Sequence, residues 1–186
     1  MELRYGTNPE QSARTVFIDE SDPPFRLVSG SPTYINLLDA LNAWQLVRET
    51  ALALHRPIAT SLKHVSPAGA ATADDLDAVM GETWAVERGA MSPAATAYIR
   101  ARDCDPKSSF GDFVAISEPV DLSLAHVLAA VVSDGIIAPG SSLASWMFSL
   151  GRRAARTSSS RRLATSSHRS GNVGSCSGYG SSNNAP

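Results

Sequence analysis

No carboxylate occurs after Asp134, no lysine occurs after Lys107, and only two cysteines, Cys104 and Cys176, occur in the 186 residues. Two cysteines make no zinc framework and give no sign of an oxidising compartment. No apolar run approaches the roughly 18 residues that a membrane span needs, which argues against an integral membrane protein. The opening Met1-Glu2-Leu3-Arg4-Tyr5 lacks the apolar core of a signal peptide, so a cytoplasmic location is the expectation. Missing as well are a G-x-G-x-x-G fingerprint after a strand, a P-loop and a G-x-S-x-G elbow. His55, His126 and His168 have no cysteine or carboxylate partners at metal-ligand spacing, and no metal site is assigned.

What is present is unevenly spread. Residues 1–140 hold all 18 acidic and ten of the 16 basic residues, a balance of −8, while residues 141–186 hold six arginines, a balance of +6. The change in charge coincides with a change in texture. Arg152-Arg153, Arg161-Arg162 and Arg169 sit among serines, and residues 171–186 are almost wholly Gly, Ser and Asn. Such a stretch has too few apolar side chains to offset an ordering entropy of roughly 1–2 kcal/mol per residue. Two regions are therefore expected: a folded body over residues 1–140, and a Ser/Arg/Gly-rich tail over residues 141–186 that is mostly disordered, above all from residue 151. A basic tail has the charge to touch nucleic acid or acidic lipid through counterion release. Neither aromatic spacing nor an RNA-binding motif supports that role, and the tail reads as an unselected appendage, such as a shifted reading frame leaves.

The body alternates helical and extended patterns. Residues 15–18 and 26–29 are short β-branched or apolar runs around an Asp-Pro-Pro turn, and read as strands. Leu37, Ala40, Trp44, Val47, Ala51 and Leu54 recur at spacings of three and four, placing them on one stripe of a helix over residues 34–54, with Pro57 just past it. Residues 58–62 read as a strand that opens into the loop Ser66-Pro67-Ala68-Gly69. Thr72 and Asp75 have capping-box spacing before a helix through Leu76, Met80 and Val86. Further helices are predicted over residues 93–102 and 122–132, and strands over 113–117 and 136–138. This alternation favours a layered α/β domain with parallel strand pairs.

Three loop junctions carry the candidate chemistry. Lys63-His64 lies where a strand opens into a loop, and ligands of open α/β sheets gather at the carboxyl ends of strands. An imidazole beside an ammonium suits a general base, because the neighbouring positive charge disfavours the imidazolium. Taken alone, the pair reads as a solvated loop. In Ser108-Ser109-Phe110-Gly111-Asp112-Phe113 the glycine permits close backbone approach, and the hydroxyls and amides suit an anion; the alternative is an ordinary turn. Ser133-Asp134-Gly135 is a third junction, otherwise a strand-entry turn.

Five blocks, in order, resemble the AICAR transformylase domain of the bifunctional purine biosynthesis family. They are Leu3-Arg4-Tyr5-Gly6-Thr7-Asn8-Pro9-Glu10-Gln11, then Asn36-Leu37-Leu38-Asp39-Ala40-Leu41-Asn42-Ala43-Trp44-Gln45-Leu46-Val47, then Ser61-Leu62-Lys63-His64-Val65-Ser66-Pro67-Ala68-Gly69-Ala70-Ala71. Ser108-Ser109-Phe110-Gly111-Asp112-Phe113-Val114-Ala115 and Val132-Ser133-Asp134-Gly135-Ile136-Ile137-Ala138-Pro139-Gly140 complete the series. The family pattern has histidine where this chain has Glu10.

The resemblance implies a cytidine-deaminase-like α/β lobe without that fold's zinc. It also implies a reaction: formyl transfer from the co-substrate formyl-tetrahydrofolate to the exocyclic amine of AICAR. By resemblance His64 is the general base and Lys63 supplies positive charge near the developing oxyanion. Arg4, Tyr5, Gly111 and Asp134 match nucleotide-binding positions, and a dimer, of this chain or with a full-length relative, is the implied assembly. Only the first of two lobes is matched, and the later motifs that supply most folate contacts have no counterpart. The expectation is an incomplete formyltransferase. The alternative is a non-catalytic truncated remnant that at most binds nucleotide or dimerises with a full-length relative.

Overall fold

The computed structural model describes residues 1–87 and 89–140, and the tail expectation for residues 141–186 lies outside them. The first long element, α1 (Tyr34–Leu54), starts where Thr33 closes a reciprocal cap with Asn36: the Thr33 hydroxyl oxygen accepts the Asn36 N–H at 3.1 Å, and the Asn36 side-chain oxygen accepts the Thr33 N–H at 3.1 Å. It stops at His55, which takes a left-handed conformation (φ 52°) and donates its N–H to the Ala51 carbonyl. Leu37, Ala40 and Val47 of the anticipated stripe are buried and Trp44 and Ala51 pack beside them, whereas Leu54 faces solvent.

Four strands follow: β1 (Ile58–Lys63), β2 (Ser66–Thr72), β3 (Asp112–Ile116) and β4 (Ser133–Ile137). They form one sheet in the order β2-β1-β3-β4. The helices between them are α2 (Ala78–Trp84), α3 (Pro93–Asp103) and α4 (Leu122–Ala130). The two-residue side-chain period of β3 splits the core cleanly. Phe113 and Ala115 join Ala43, Val47, Ile58, Leu62 and Ile137 beneath α1. Val114 and Ile116 join Tyr98, Ile99, Leu124 and Leu128 beneath α3 and α4. The result is the layered α/β body anticipated, with helices on both faces of a sheet. Ala94, Ala95, Ala97 and Ala101 let α3 lie close to the strands, and Gly69 of β2 completes that approach: a Cβ there would sit 2.1 Å from the Ala101 carbonyl oxygen.

Four expectations are corrected. Residues 15–18 and 26–29 form no strand; the N-terminal segment folds back on itself through an isolated Glu2–Arg14 bridge, and Val16 and Ile18 stay exposed without a ladder partner. Residues 66–69 are strand rather than loop. Pro67 is tolerated because β2 is an edge strand, where a missing N–H costs no inner ladder bond. The cap of α2 is Asp77, whose carboxylate accepts the Met80 N–H at 2.8 Å, not Thr72, which is consumed by β2. Finally, only β3–β4 is parallel; β1 pairs antiparallel with both β2 and β3. The short turn after Lys63 returns the chain directly and so imposes the antiparallel sense of β1 and β2.

Beneath the sheet lies a buried polar knot. Asp112, fully buried, receives the Ser61 hydroxyl at 2.7 Å and the Tyr98 hydroxyl at 3.1 Å, and its carboxylate is 3.2 Å from Arg102 Nη1. A hydroxyl has one proton, so Ser61, 2.8 Å from Ser109 Oγ, accepts from Ser109 while donating to the carboxylate. Arg102 also donates to the Ser109 carbonyl at 2.6 Å, which pins the loop before Gly111 to α3. Burial raises the carboxyl pKa of Asp112, opposed chiefly by the Ser61 hydrogen bond and the Arg102 charge, and burial also raises that of the Tyr98 phenol. Removing one member of a buried ion pair strands the other charge, at a cost of about 3–5 kcal/mol. Asp112→Ala is therefore expected to lower the urea unfolding free energy by about that much. The Arg102→Met/Asp112→Ala double variant is expected to lose less than the sum of the two single losses; additive losses would count against the coupling.

Candidate functional site

The hairpin joining β1 and β2 turns on two residues, His64 and Val65, between the paired Lys63 and Ser66. Both central residues have positive φ, 52° and 65°, which is the requirement of the type I′ turn that matches strand twist. The usual occupants are Asn-Gly. A β-branched residue at φ above zero is an outlier, and each such residue costs on the order of 1–3 kcal/mol. The turn projects His64 into solvent and leaves Lys63 half-buried at the strand end.

The antiparallel pairing of β1 with β3 decides what meets Lys63. Because Leu62 faces Phe113, the carboxyl end of β1 lies against the amino ends of β3 and β4. The expected gathering point at strand carboxyl ends is thus a mixed edge. The Lys63 ammonium donates to the Gly111 carbonyl and lies 3.6 Å from Asp134 Oδ2. Gly111 has φ 70°, and a Cβ there would sit 2.9 Å from Lys63 Nζ and 3.7 Å from Asp134 Oδ1, so this position needs glycine for both conformation and space. Its N–H donates to the Val132 carbonyl at 3.0 Å, tying the loop to the entry of β4. An ammonium has three N–H donors; Gly111 and Asp134 occupy two directions and leave one for a further acceptor.

Arg4 and Tyr5 form a separate group at the start of α1. The Arg4 guanidinium carbon is 5.7 Å from the Tyr5 ring centroid, and the Tyr5 carbonyl accepts the N–H of Tyr34 at 3.1 Å. The Arg4 N–H donates to the Pro32 carbonyl at 2.7 Å. The structure therefore brings Lys63, Gly111 and Asp134 into contact, with His64 next to Lys63 in the turn, while Arg4 and Tyr5 are tied by backbone hydrogen bonds to the start of α1. The link between the groups is Asp39, a residue to which the sequence reading assigned no role. It lies five residues after Tyr34, about 7.5 Å of helix rise, and its carboxylate accepts the Val65 N–H. The available signal was a carboxylate four residues before the buried Ala43, on the inner face of an apolar helix, since buried carboxylates are rarely without partners. Burial raises the Asp39 carboxyl pKa above the ordinary 3.8; the Val65 hydrogen bond and the charges of His64 and Lys63 oppose the rise, and Asp134 adds to it.

A cavity of about 940 Å³ lies elsewhere, between the end of β2, α2 and the start of α3, and is lined by Asp74, Asp77, Glu82 and Glu87 among others. Its carboxylates make it a poor site for an anion. Around Lys63 the residues suit an oxyanion or carbonyl instead. Among the described residues no group of three or more His, Cys, Asp or Glu side chains is placed to hold a metal ion, and no helix is long and apolar enough to cross a membrane.

A sequence-family model described as AICARFT/IMPCHase bienzyme matches residues 1–152. Similar proteins include the bifunctional purine biosynthesis protein PurH of Deinococcus deserti, 32% identical over 142 residues, and that of Elusimicrobium minutum, 30% identical over 139 residues. The PurH of Deinococcus radiodurans is 33% identical over 147 residues. Each match covers 74% of this chain but only 22–24% of the relative, so the chain spans about a quarter of the length of these curated relatives.

The Asp39 carboxyl gives the site a pH signature. With its pKa raised in the folded state, folding is favoured by the bound proton below about pH 3.8, and that contribution is lost as pH climbs through the folded value. Asp39→Asn is neutral throughout. The stability of the unaltered chain relative to Asp39→Asn is expected to be greatest near pH 3 and to decline toward pH 7, read by denaturant unfolding of both; a difference that rises with pH would contradict the assignment.

Proposed function

The chain belongs to the AICARFT/IMPCHase bienzyme family, and on that premise we propose that its Lys63–His64 hairpin is the proton-transfer end of a formyltransferase site. The substrate is AICAR and the formyl donor is formyl-tetrahydrofolate. The observation that carries this reading is the convergence of Lys63, Gly111 and Asp134 beside an exposed imidazole on one strand edge.

The exocyclic amine of AICAR is a weak nucleophile, because its lone pair is delocalised into the imidazole and carboxamide. As its nitrogen bonds to the formyl carbon, it must shed a proton, and His64 accepts it. The bond between that carbon and the donor's nitrogen breaks, and the proton passes from His64 to the departing nitrogen. A positioned base of this kind contributes about 10²–10⁴-fold. Negative charge collects on the formyl oxygen while both bonds are partial, and the remaining N–H of the Lys63 ammonium is suited to face it. Asp134 accepts hydrogen bonds from the nucleotide, Gly111 brings backbone close to it, and Arg4 and Tyr5 hold its phosphate end. A guanidinium engages phosphate oxygens bidentately. A cytoplasmic dimer, of this chain or with a full-length relative, is the assembly that goes with this reading.

A second reading uses the same residues differently: they bind AICAR, or pair with a full-length relative, without turnover. One experiment separates the two. Formyl transfer to AICAR is measured with the full chain and with His64→Ala, alone and mixed with a full-length relative carrying an inactivated base. Under the catalytic reading the unaltered chain supports transfer and His64→Ala loses about 10²–10⁴-fold. Absence of turnover in every mixture, with AICAR binding retained, would leave the second reading.

A further inference from the structure

Asp39 is a buried carboxylate, 4% exposed, that the proposed chemistry leaves without a task. The turn it touches is one that its own residues disfavour: His64 and Val65 hold φ 52° and 65°, and neither is glycine or asparagine. A hairpin turn of this composition relaxes toward other conformations unless something outside it holds the backbone. The contact that reaches its backbone from α1 is the Asp39 carboxylate, which accepts the Val65 N–H. Carboxylate-to-amide bonds are shorter and stronger than neutral ones. The short aspartate side chain projects from the second turn of a helix whose nearby residues Ala40 and Ala43 are packed against β1 and β3. A packed helix therefore meets an amide at the centre of the turn.

We propose that Asp39 is a positioning residue: by accepting the Val65 N–H it locks the left-handed His64–Val65 turn and so fixes where the His64 imidazole stands relative to the Lys63 ammonium. Its importance for proton transfer rests on the reading of His64 given above, whereas the lock itself does not.

The test uses the full chain, isotope-labelled, with amide exchange at Val65 and the ring resonances of His64 as readouts. In Asp39→Ala the Val65 amide is expected to exchange at least tenfold faster, with the His64 ring resonances moving away from their original positions. Glycine adopts positive φ unaided, so Val65→Gly in the Asp39→Ala background is expected to return the His64 resonances to their original positions. Asp39→Asn keeps an acceptor and falls between. Unchanged exchange in Asp39→Ala, or failure of glycine to restore the ring, overturns the proposal. Should Asp39→Ala not fold, a folded Asp39→Ala/Val65→Gly chain with native His64 resonances upholds the lock, and an unfolded one overturns it by assigning Asp39 to the core. AICAR itself is the second probe. Loss of AICAR affinity of at least tenfold in Asp39→Ala, recovered by Val65→Gly, supports both lock and function. An unaltered chain that shows the turn behaviour but binds no AICAR overturns the functional reading alone.

Discussion

The pairing register of β1 against β3 is the constraint on which the rest depends. With Leu62 opposite Phe113, apolar side chains of both strands point toward α1, while Ser61 and Asp112 point toward α3. Slip by one residue would exchange these faces, placing a carboxylate under α1 and Phe113 among the hydroxyls. The same register carries Lys63 to Gly111 and Asp134. The polar knot around Asp112 therefore has two effects. It opposes slippage, because only one alignment satisfies Ser61, Tyr98 and Arg102 together, and it anchors the loop whose glycine meets the lysine.

The carboxylates divide by environment rather than by residue type. Asp39 and Asp112 are buried and have raised pKa values. Asp74 and Asp105 are exposed, bonded to backbone N–H groups and neighbouring side chains, and have lowered values. Exposed pairs such as Arg56–Asp74 at 3.3 Å add little stability, since solvent screens them. The two buried acids hold the framework of the site, one beneath the sheet and one beneath the turn.

Much of this was legible in the sequence. The 3.6-residue stripe of α1 located that helix, because its apolar face is long enough to show a period. The existence of β1, β3 and β4 was legible from β-branched and apolar runs, but β4 begins at Ser133, three residues before the run that marked it. Local pattern could not decide the sense of β1 against β2, which depends on a two-residue turn whose occupants, His64 and Val65, look nothing like a turn pair. It could not show that Pro67 sits in a strand, because edge position is a property of the sheet. The junctions around Lys63, Gly111 and Asp134 were legible as loop junctions, their roles came from resemblance, and their mutual approach required the fold. Asp39 was hidden for the opposite reason: it lies inside one of the five resembling blocks, but a single acid on a helix says nothing about which amide it will meet.

Pro67 has one more consequence. It interrupts the outer border of the sheet, and the β1–β2 alignment shifts at Ser61/Leu62, close to where Leu62 faces the proline. A border with a missing donor and an irregular repeat is a poor template for a stray chain seeking to extend the ladder. The hairpin that presents the imidazole thus also carries, a few residues on, its own guard against fibrillar self-addition.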